Sequence, residues 1–158
     1  MCAEEFSDSR RQQLADKAYL AIRQLLNSEK GRWILRCRSH ANCELAFYAH
    51  RQLFKDIGRD NEGIETCFEV EKRILDRCFI EGDTFWIIDY KTSCLRNGET
   101  IDDFYKRKTD DYREQLTAYR NIVRECFPQY RDKIRTALYF PFALEGEAFC
   151  EIVADTKK

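Results

Sequence analysis

Asp89 and Lys91 carry opposite charges and close an apolar run, Phe85-Trp86-Ile87-Ile88; a further acid, Asp76, stands upstream. An unbroken apolar run bounded by polar residues reads as a strand buried on both faces. Residues i and i+2 of a strand share a face, so Asp89 and Lys91 point the same way. Ahead of the run, Glu81-Gly82-Asp83-Thr84 is a turn signal, and Gly82-Asp83 suits a two-residue type II′ hairpin with glycine first. In that register Glu81 faces Thr84, Ile80 faces Phe85, and Asp76 falls opposite Asp89. Like charges directly opposite each other destabilise a strand pair. Fraying of one Asp or a bulge would relieve the clash. A bound cation would make it favourable, since Mg²⁺ is held by one or two carboxylates together with waters and phosphate oxygens.

Two acids, a divalent cation and a lysine are the equipment of phosphodiester hydrolysis. The cation neutralises phosphate charge and makes hydroxide from water near neutral pH. An ammonium group stabilises charge on the phosphate in the transition state. The plain alternative for Lys91 is an ion pair with Asp89, which by itself is a weak reason to bury a lysine.

Three blocks occur in order: Arg73-Ile74-Leu75-Asp76-Arg77, Ile88-Asp89-Tyr90-Lys91-Thr92 and Gln115-Leu116-Thr117-Ala118-Tyr119. Together they resemble the nuclease domain of the RecB/AddA family within the PD-(D/E)xK superfamily, as found at the C-terminal end of bacterial UvrD-like helicase–nucleases of the exonuclease V beta-subunit type. Leu138-Tyr139-Phe140-Pro141 is similar to that family's final strand, and the likeness runs from about Gly31 to near the C-terminus. The resemblance implies an α/β protein with a restriction-endonuclease-like core, a central mixed β-sheet flanked by helices. It also implies that residues 1–158 form a single nuclease domain excised from the C-terminus of a larger helicase–nuclease.

For the site, the resemblance implies Mg²⁺, with Mn²⁺ able to substitute, held by Asp76, Asp89 and the main-chain carbonyl of Tyr90. Lys91 and Gln115 complete the implied catalytic group. Gln115 and Tyr119 match the family's Q-x-x-x-Y pattern and, four apart, share a helix face. Gln115 is expected near Lys91 or a phosphate. Tyr119 either bonds to or stacks on nucleic acid, or is a core aromatic with a wet hydroxyl. Arg77, Arg113, Arg120 and the Lys106-Arg107-Lys108 run are candidate phosphate grips, a solvated face being the alternative. Relatives usually carry a metal-binding histidine upstream in a G-x-x-x-H pattern. That pattern is absent before Asp76, and the only histidines are His40 and His50. His40 or a segment upstream of this chain would have to supply it. Glu44 stands where the family often has a glutamate; contact with metal-bound water, contact with a basic neighbour and a purely structural place all stay open.

The implied function is a Mg²⁺-dependent exodeoxyribonuclease V-like activity in double-strand-break processing and recombinational repair. The implied partners are DNA, expected single-stranded, the helicase motor region of the parent chain and a further subunit, with no membrane. The rivals are a nuclease-like module that binds DNA or a partner protein without cutting, and a stand-alone nuclease. No Walker A pattern occurs, so the chain itself is not expected to hydrolyse ATP.

Composition bounds these readings. A chain of 158 residues, 44% hydrophobic and 13% aromatic, suits one globular α/β domain. Its 27 basic and 28 acidic residues leave no excess to carry a free-standing DNA binder. Either nucleic acid is not a ligand or another part of an assembly delivers it. The eight cysteines show no C-x2-C spacing, so zinc is not expected. Cys126 and Cys150 are too far apart for the iron–sulfur cluster of some relatives. Reduced, mostly buried thiols in a cytoplasmic protein are expected. The polar, acidic Met1-Cys2-Ala3-Glu4-Glu5 is no signal peptide, and no apolar run reaches the ~18–20 residues of a membrane span.

Periodicity then supplies the positioning elements. Leu14, Ala18, Ala21, Ile22 and Leu25 predict an amphipathic packing helix over Ser7–Leu26, capped by Ser7 or Ser9 and ended by residues 27–31. A short apolar segment begins at Trp33. Cys43–Leu53 reads as a strand, Phe54–Glu65 as a loop or turn, and Cys67–Ile80 as a long strand or bent pair. After the central hairpin comes a flexible connection, Cys94–Asp103. A second helix, Asp102–Phe127, has the stripe Tyr105, Tyr112, Leu116, Tyr119, Val123 and Cys126. Strands over Ile134–Phe142 and Ala148–Val153 close the chain.

Overall fold

The computed structural model describes residues 8–38, 40–56 and 64–152. Its elements run α1 (Asp8–Asn27), α2 (Glu29–Leu35), β1 (Asn42–Asp56), β2 (Ile64–Glu81), β3 (Thr84–Tyr90), α3 (Ile101–Cys126), β4 (Ile134–Phe140) and β5 (Ala148–Ile152), with 3₁₀ turns at Pro128–Tyr130 and Leu144–Gly146. The five strands form one sheet in the order β1-β2-β3-β4-β5. The β3–β4 pair is parallel and every other pair antiparallel. This is the expected α/β architecture, a central mixed sheet flanked by helices.

The hairpin register is the expected one. Glu81 pairs with Thr84, Ile80 with Phe85 and Arg77 with Ile88. Gly82 takes φ 61° and Asp83 stays negative, as a type II′ turn requires. β3 is the middle strand, so both of its faces are covered and Phe85 to Asp89 are all buried. One face carries Phe85 and Ile87 against Leu116 and Val123 of α3. The other carries Trp86 and Ile88 with Phe79, Ala137 and Tyr139 beneath Ile34 of α2.

Helix α2 is the element the sequence did not announce, because seven residues are too few for periodicity to show. Local capping holds it. Ser28 accepts from the Gly31 amide at 2.9 Å, and the Glu147 carboxylate accepts from Glu29 N at 2.7 Å. Its Trp33 meets Phe79, Trp86 and Phe149 edge-on at 5.1–5.7 Å. Gly31 allows the tight α1–α2 junction. A Cβ there would lie 1.9 Å from Leu25 O and 2.7 Å from Ser28 Oγ. Gly31→Ala is therefore expected to lower stability by ~1–3 kcal/mol, the usual cost of overpacking, read as a lower urea midpoint at unchanged slope.

Several expectations need correction. α1 is not a packing helix along its length. Leu14 and Ile22 are 53% and 56% exposed, and Ala21 alone is buried, because the helix meets the domain chiefly at α2 and the Leu144–Gly146 turn. Ser9 lies inside α1 and so does not cap it, while Ser7 falls outside the described residues. Of the six cysteines whose side chains are described, Cys37, Cys43, Cys94 and Cys126 are exposed and only Cys78 and Cys150 buried. Cys126 thus leaves the predicted stripe of α3, and Phe104, fully buried, joins it. β1 and β2 also run further than expected, and residues 57–63 between them lie outside the described residues. No helix among the described residues is long and apolar enough to cross a membrane.

The connection from β3 to α3 is held by a clamp. Arg107 donates to Glu99 through Nε at 2.8 Å and Nη2 at 2.7 Å, and Glu99 also accepts from Arg96 N. Thr100 caps α3 by accepting from Asp103 N. Hydrogen bonds from Arg107 and from the Arg96 amide pull the Glu99 carboxyl down to about 2. A depressed acid stabilises the fold above its ordinary value, and that contribution fades as pH falls from about 4.5 towards 2. Glu99→Gln should therefore lower the urea midpoint at pH 7 and flatten its decline across that acid window.

Candidate active site

The ladders part at Asp76. β2 pairs with β3 only as far as Arg77, while β2 continues with β1 as a two-stranded ribbon. The β1–β2 ladder is itself interrupted there: Cys43 pairs with Arg77 and Leu45 with Leu75, but Glu44 and Asp76 between them do not pair. Glu44 takes φ 52°, a left-handed conformation that turns the strand locally, and its side chain is exposed. Freed from both neighbours, Asp76 turns to β3 and accepts the amide N–H of Tyr90 through Oδ2 at 2.9 Å. The expected face-to-face clash of Asp76 with Asp89 is thus replaced by a fork with one acid on each arm.

Asp89 is 2% exposed. Strand pairing runs one residue beyond β3, since Lys91 N donates to Tyr139 O at 2.9 Å. Strand alternation is kept, and Lys91 points to the same face as Asp89. Its Nζ lies 2.7 Å from Asp89 Oδ2. The two opposite charges are in direct contact, and no other donor reaches the buried Oδ2. Burial raises the Asp89 carboxyl above its ordinary value, the Lys91 ammonium opposes the rise and the Asp76 charge adds to it.

α3 brings the third block to this fork. Lys91 Nζ donates to Gln115 Oε1 at 3.2 Å, and Gln115 Nε2 donates to the Tyr119 hydroxyl at 2.8 Å. Asp89, Lys91, Gln115 and Tyr119 form one connected chain, with Asp76 tied in through Tyr90. Tyr119 corrects one expectation. It is 6% exposed, its ring belongs to the core under α3, and burial raises its phenol. It orients the Gln115 amide and offers no stacking face to a nucleic acid.

Arg77 is a second correction. Neighbouring strand residues point to opposite faces, so Arg77 turns away from Asp76. It is buried, donating from Nε to Ile34 O at 3.2 Å, from Nη2 to Arg36 O at 3.3 Å and from Nη1 to Cys43 Sγ at 3.3 Å. Its role is to satisfy carbonyls at the C-terminal end of α2. Arg113 lies roughly 200° around the axis of α3 from Gln115, and its guanidinium is 3.6 Å from Asp110. It faces away from the fork. Arg120 is buried on Thr136 and Ile152 O. In the 106–108 run, Arg107 belongs to Glu99 and Lys108 is buried beside Asp111.

Among the described residues no three His, Cys, Asp or Glu side chains converge as metal ligands. His40 is exposed in the turn before β1, and the His50 side chain lies outside the described residues. The ligands that the resemblance implies at the fork are the Asp76 and Asp89 carboxylates and the Tyr90 carbonyl. Hard oxygen donors of this number suit Mg²⁺ or Mn²⁺, which keep waters and take phosphate oxygens, and do not suit zinc. The buried Asp89 Oδ2, met only by the Lys91 ammonium, fits a cation in the same place. Family models and curated proteins return no match to this chain.

Proposed function

We propose that the chain is a Mg²⁺-dependent deoxyribonuclease domain of the PD-(D/E)xK class, acting on single strands delivered by a helicase motor. The observation that supports it most is the fork itself. Two acids come from adjacent strands, near enough for the charge of one to raise the carboxyl of the other, and the buried one lies 2.7 Å from a lysine that a glutamine from α3 also holds. A merely structural ion pair needs neither the second acid nor the glutamine.

Asp76, Asp89 and the Tyr90 carbonyl would hold the ion. A bound divalent cation supplies phosphate neutralisation and a water of lowered pKa. Lys91, with Asp89 and Gln115 fixing its ammonium, orients the attacking water and meets charge that develops on the phosphate. Gln115 is a positioning residue: the donor-only Lys91 ammonium requires the amide oxygen on its side, and the Tyr119 hydroxyl accepts from the amide nitrogen on the other. The near-neutral balance of 27 basic and 28 acidic residues fits delivery of the strand by another part of an assembly. The absence of a third ligating side chain among the described residues favours a second reading, a module of this fold that binds DNA without cutting.

The test is cleavage of end-labelled single-stranded DNA in Mg²⁺, in Mn²⁺ and in chelator, for wild type and Asp76→Ala. Metal-dependent cutting that the substitution abolishes supports the nuclease. Binding without cutting in every metal supports the second reading.

A further inference from the structure

The Lys91 ammonium has a third neighbour that the three sequence blocks do not contain. Its Nζ lies over the ring of Tyr112, 4.2 Å from the centroid. Tyr112 stands three residues before Gln115 on α3, so the two side chains rise from the same face of the helix. The ammonium is thus enclosed by the Asp89 carboxylate at 2.7 Å, the Gln115 carbonyl at 3.2 Å and an aromatic face at 4.2 Å. The first two are polar contacts that water or a phosphate could replace. The ring is a fixed wall, half-buried and packed against the core beneath α3. A second cation, the buried Lys108, sits 5.5 Å from the same centroid, held by Asp111 at 3.0 Å. Two lysines on one ring are more than core packing requires, since an aliphatic side chain would fill the same volume without attracting either.

We propose that Tyr112 is the positioning residue that fixes the Lys91 ammonium through its ring face. The assignment rests on the nuclease reading for its consequence in catalysis, and on geometry alone for the contact. Tyr112→Phe keeps the ring and the packing. Tyr112→Leu keeps apolar packing and removes the ring face, so the pair separates a positioning role from a structural one.

The experiment uses the full chain and two readouts. In ¹H–¹³C spectra the Lys91 ε-methylene protons, assigned by their loss in Lys91→Met, are shielded by a ring above them. The expected result is an upfield position in wild type and Tyr112→Phe that is lost in Tyr112→Leu. With it, kcat for single-stranded DNA falls about tenfold in Tyr112→Leu at unchanged KM, the order of one cation–π contact in a partly desolvated site, and returns in Tyr112→Phe. An unshifted Lys91 in wild type, or a shift that persists in Tyr112→Leu, overturns the proposal. Equal kcat in all three proteins overturns it as well. If wild type shows the shift but cuts no DNA, the contact stands and the nuclease reading fails.

Discussion

Lys91→Ala is expected to lower the rate of single-strand cleavage by about 10²–10³-fold, the usual cost of removing one preorganised charge-stabilising group. The loss should appear in kcat with little change in KM, because the ammonium acts on charge that grows only in the transition state. Metal binding should respond in the opposite direction. Lys91 lies 2.7 Å from Asp89, so in the absence of metal it occupies part of the space a cation would use. Without it, burial and the neighbouring Asp76 leave Asp89 with no counter-charge, and a divalent cation becomes the best available partner. Mn²⁺ affinity of Lys91→Ala should equal or exceed that of wild type while turnover collapses. Single-turnover cleavage alongside calorimetric Mn²⁺ titration checks both halves. Wild-type turnover in Lys91→Ala would remove the lysine from the chemistry.

Phe104→Ala should cost ~3–5 kcal/mol, the range for emptying a buried aromatic site. Phe104 is fully buried in the first turns of α3 and lies 4.7 Å from Phe140 of β4, edge to face. It anchors to the sheet the helix that carries Tyr112, Gln115 and Tyr119, so its loss reaches the site through the backbone. A fall in Tm on the order of 10 °C is expected for a domain of this size, with cleavage reduced at temperatures where the variant stays folded. A loss below ~1 kcal/mol in urea titration would mean that the N-terminal half of α3 is not docked as described.

What the sequence made legible follows physical range. The Gly82-Asp83 turn and the unbroken run after it specify the β2–β3 register locally, so the hairpin was placed to the residue, while the parting of the strands at Asp76 depends on β1 and was not. Lys91 meets Asp89 and Gln115, and Asp76 reaches the neighbouring Tyr90 amide. Arg77 could have been removed in advance, since strand alternation turns it from the face of Asp76. Tyr119 could not, because whether an aromatic on an amphipathic helix meets solvent or core depends on what packs against it, a tertiary matter. The same holds for Tyr112, whose spacing from Gln115 was visible but whose neighbour Lys91 comes from a distant strand. α2 was missed because its signal is capping chemistry, Ser28 with Gly31, rather than period. The exposed flank of α1 shows the converse, a sound helical pattern that predicts a helix without saying what covers it.

A divalent cation held at the strand fork is what would give the acids and the lysine a common chemistry. Calorimetric titration of Mn²⁺ into wild type and Asp89→Asn tests this without requiring turnover. The expected result is saturable binding of a single ion in wild type, weakened more than about tenfold in the variant, at least what disturbing even the outer shell of a metal site costs. Equal affinity in the two proteins, or no binding to wild type, would contradict it.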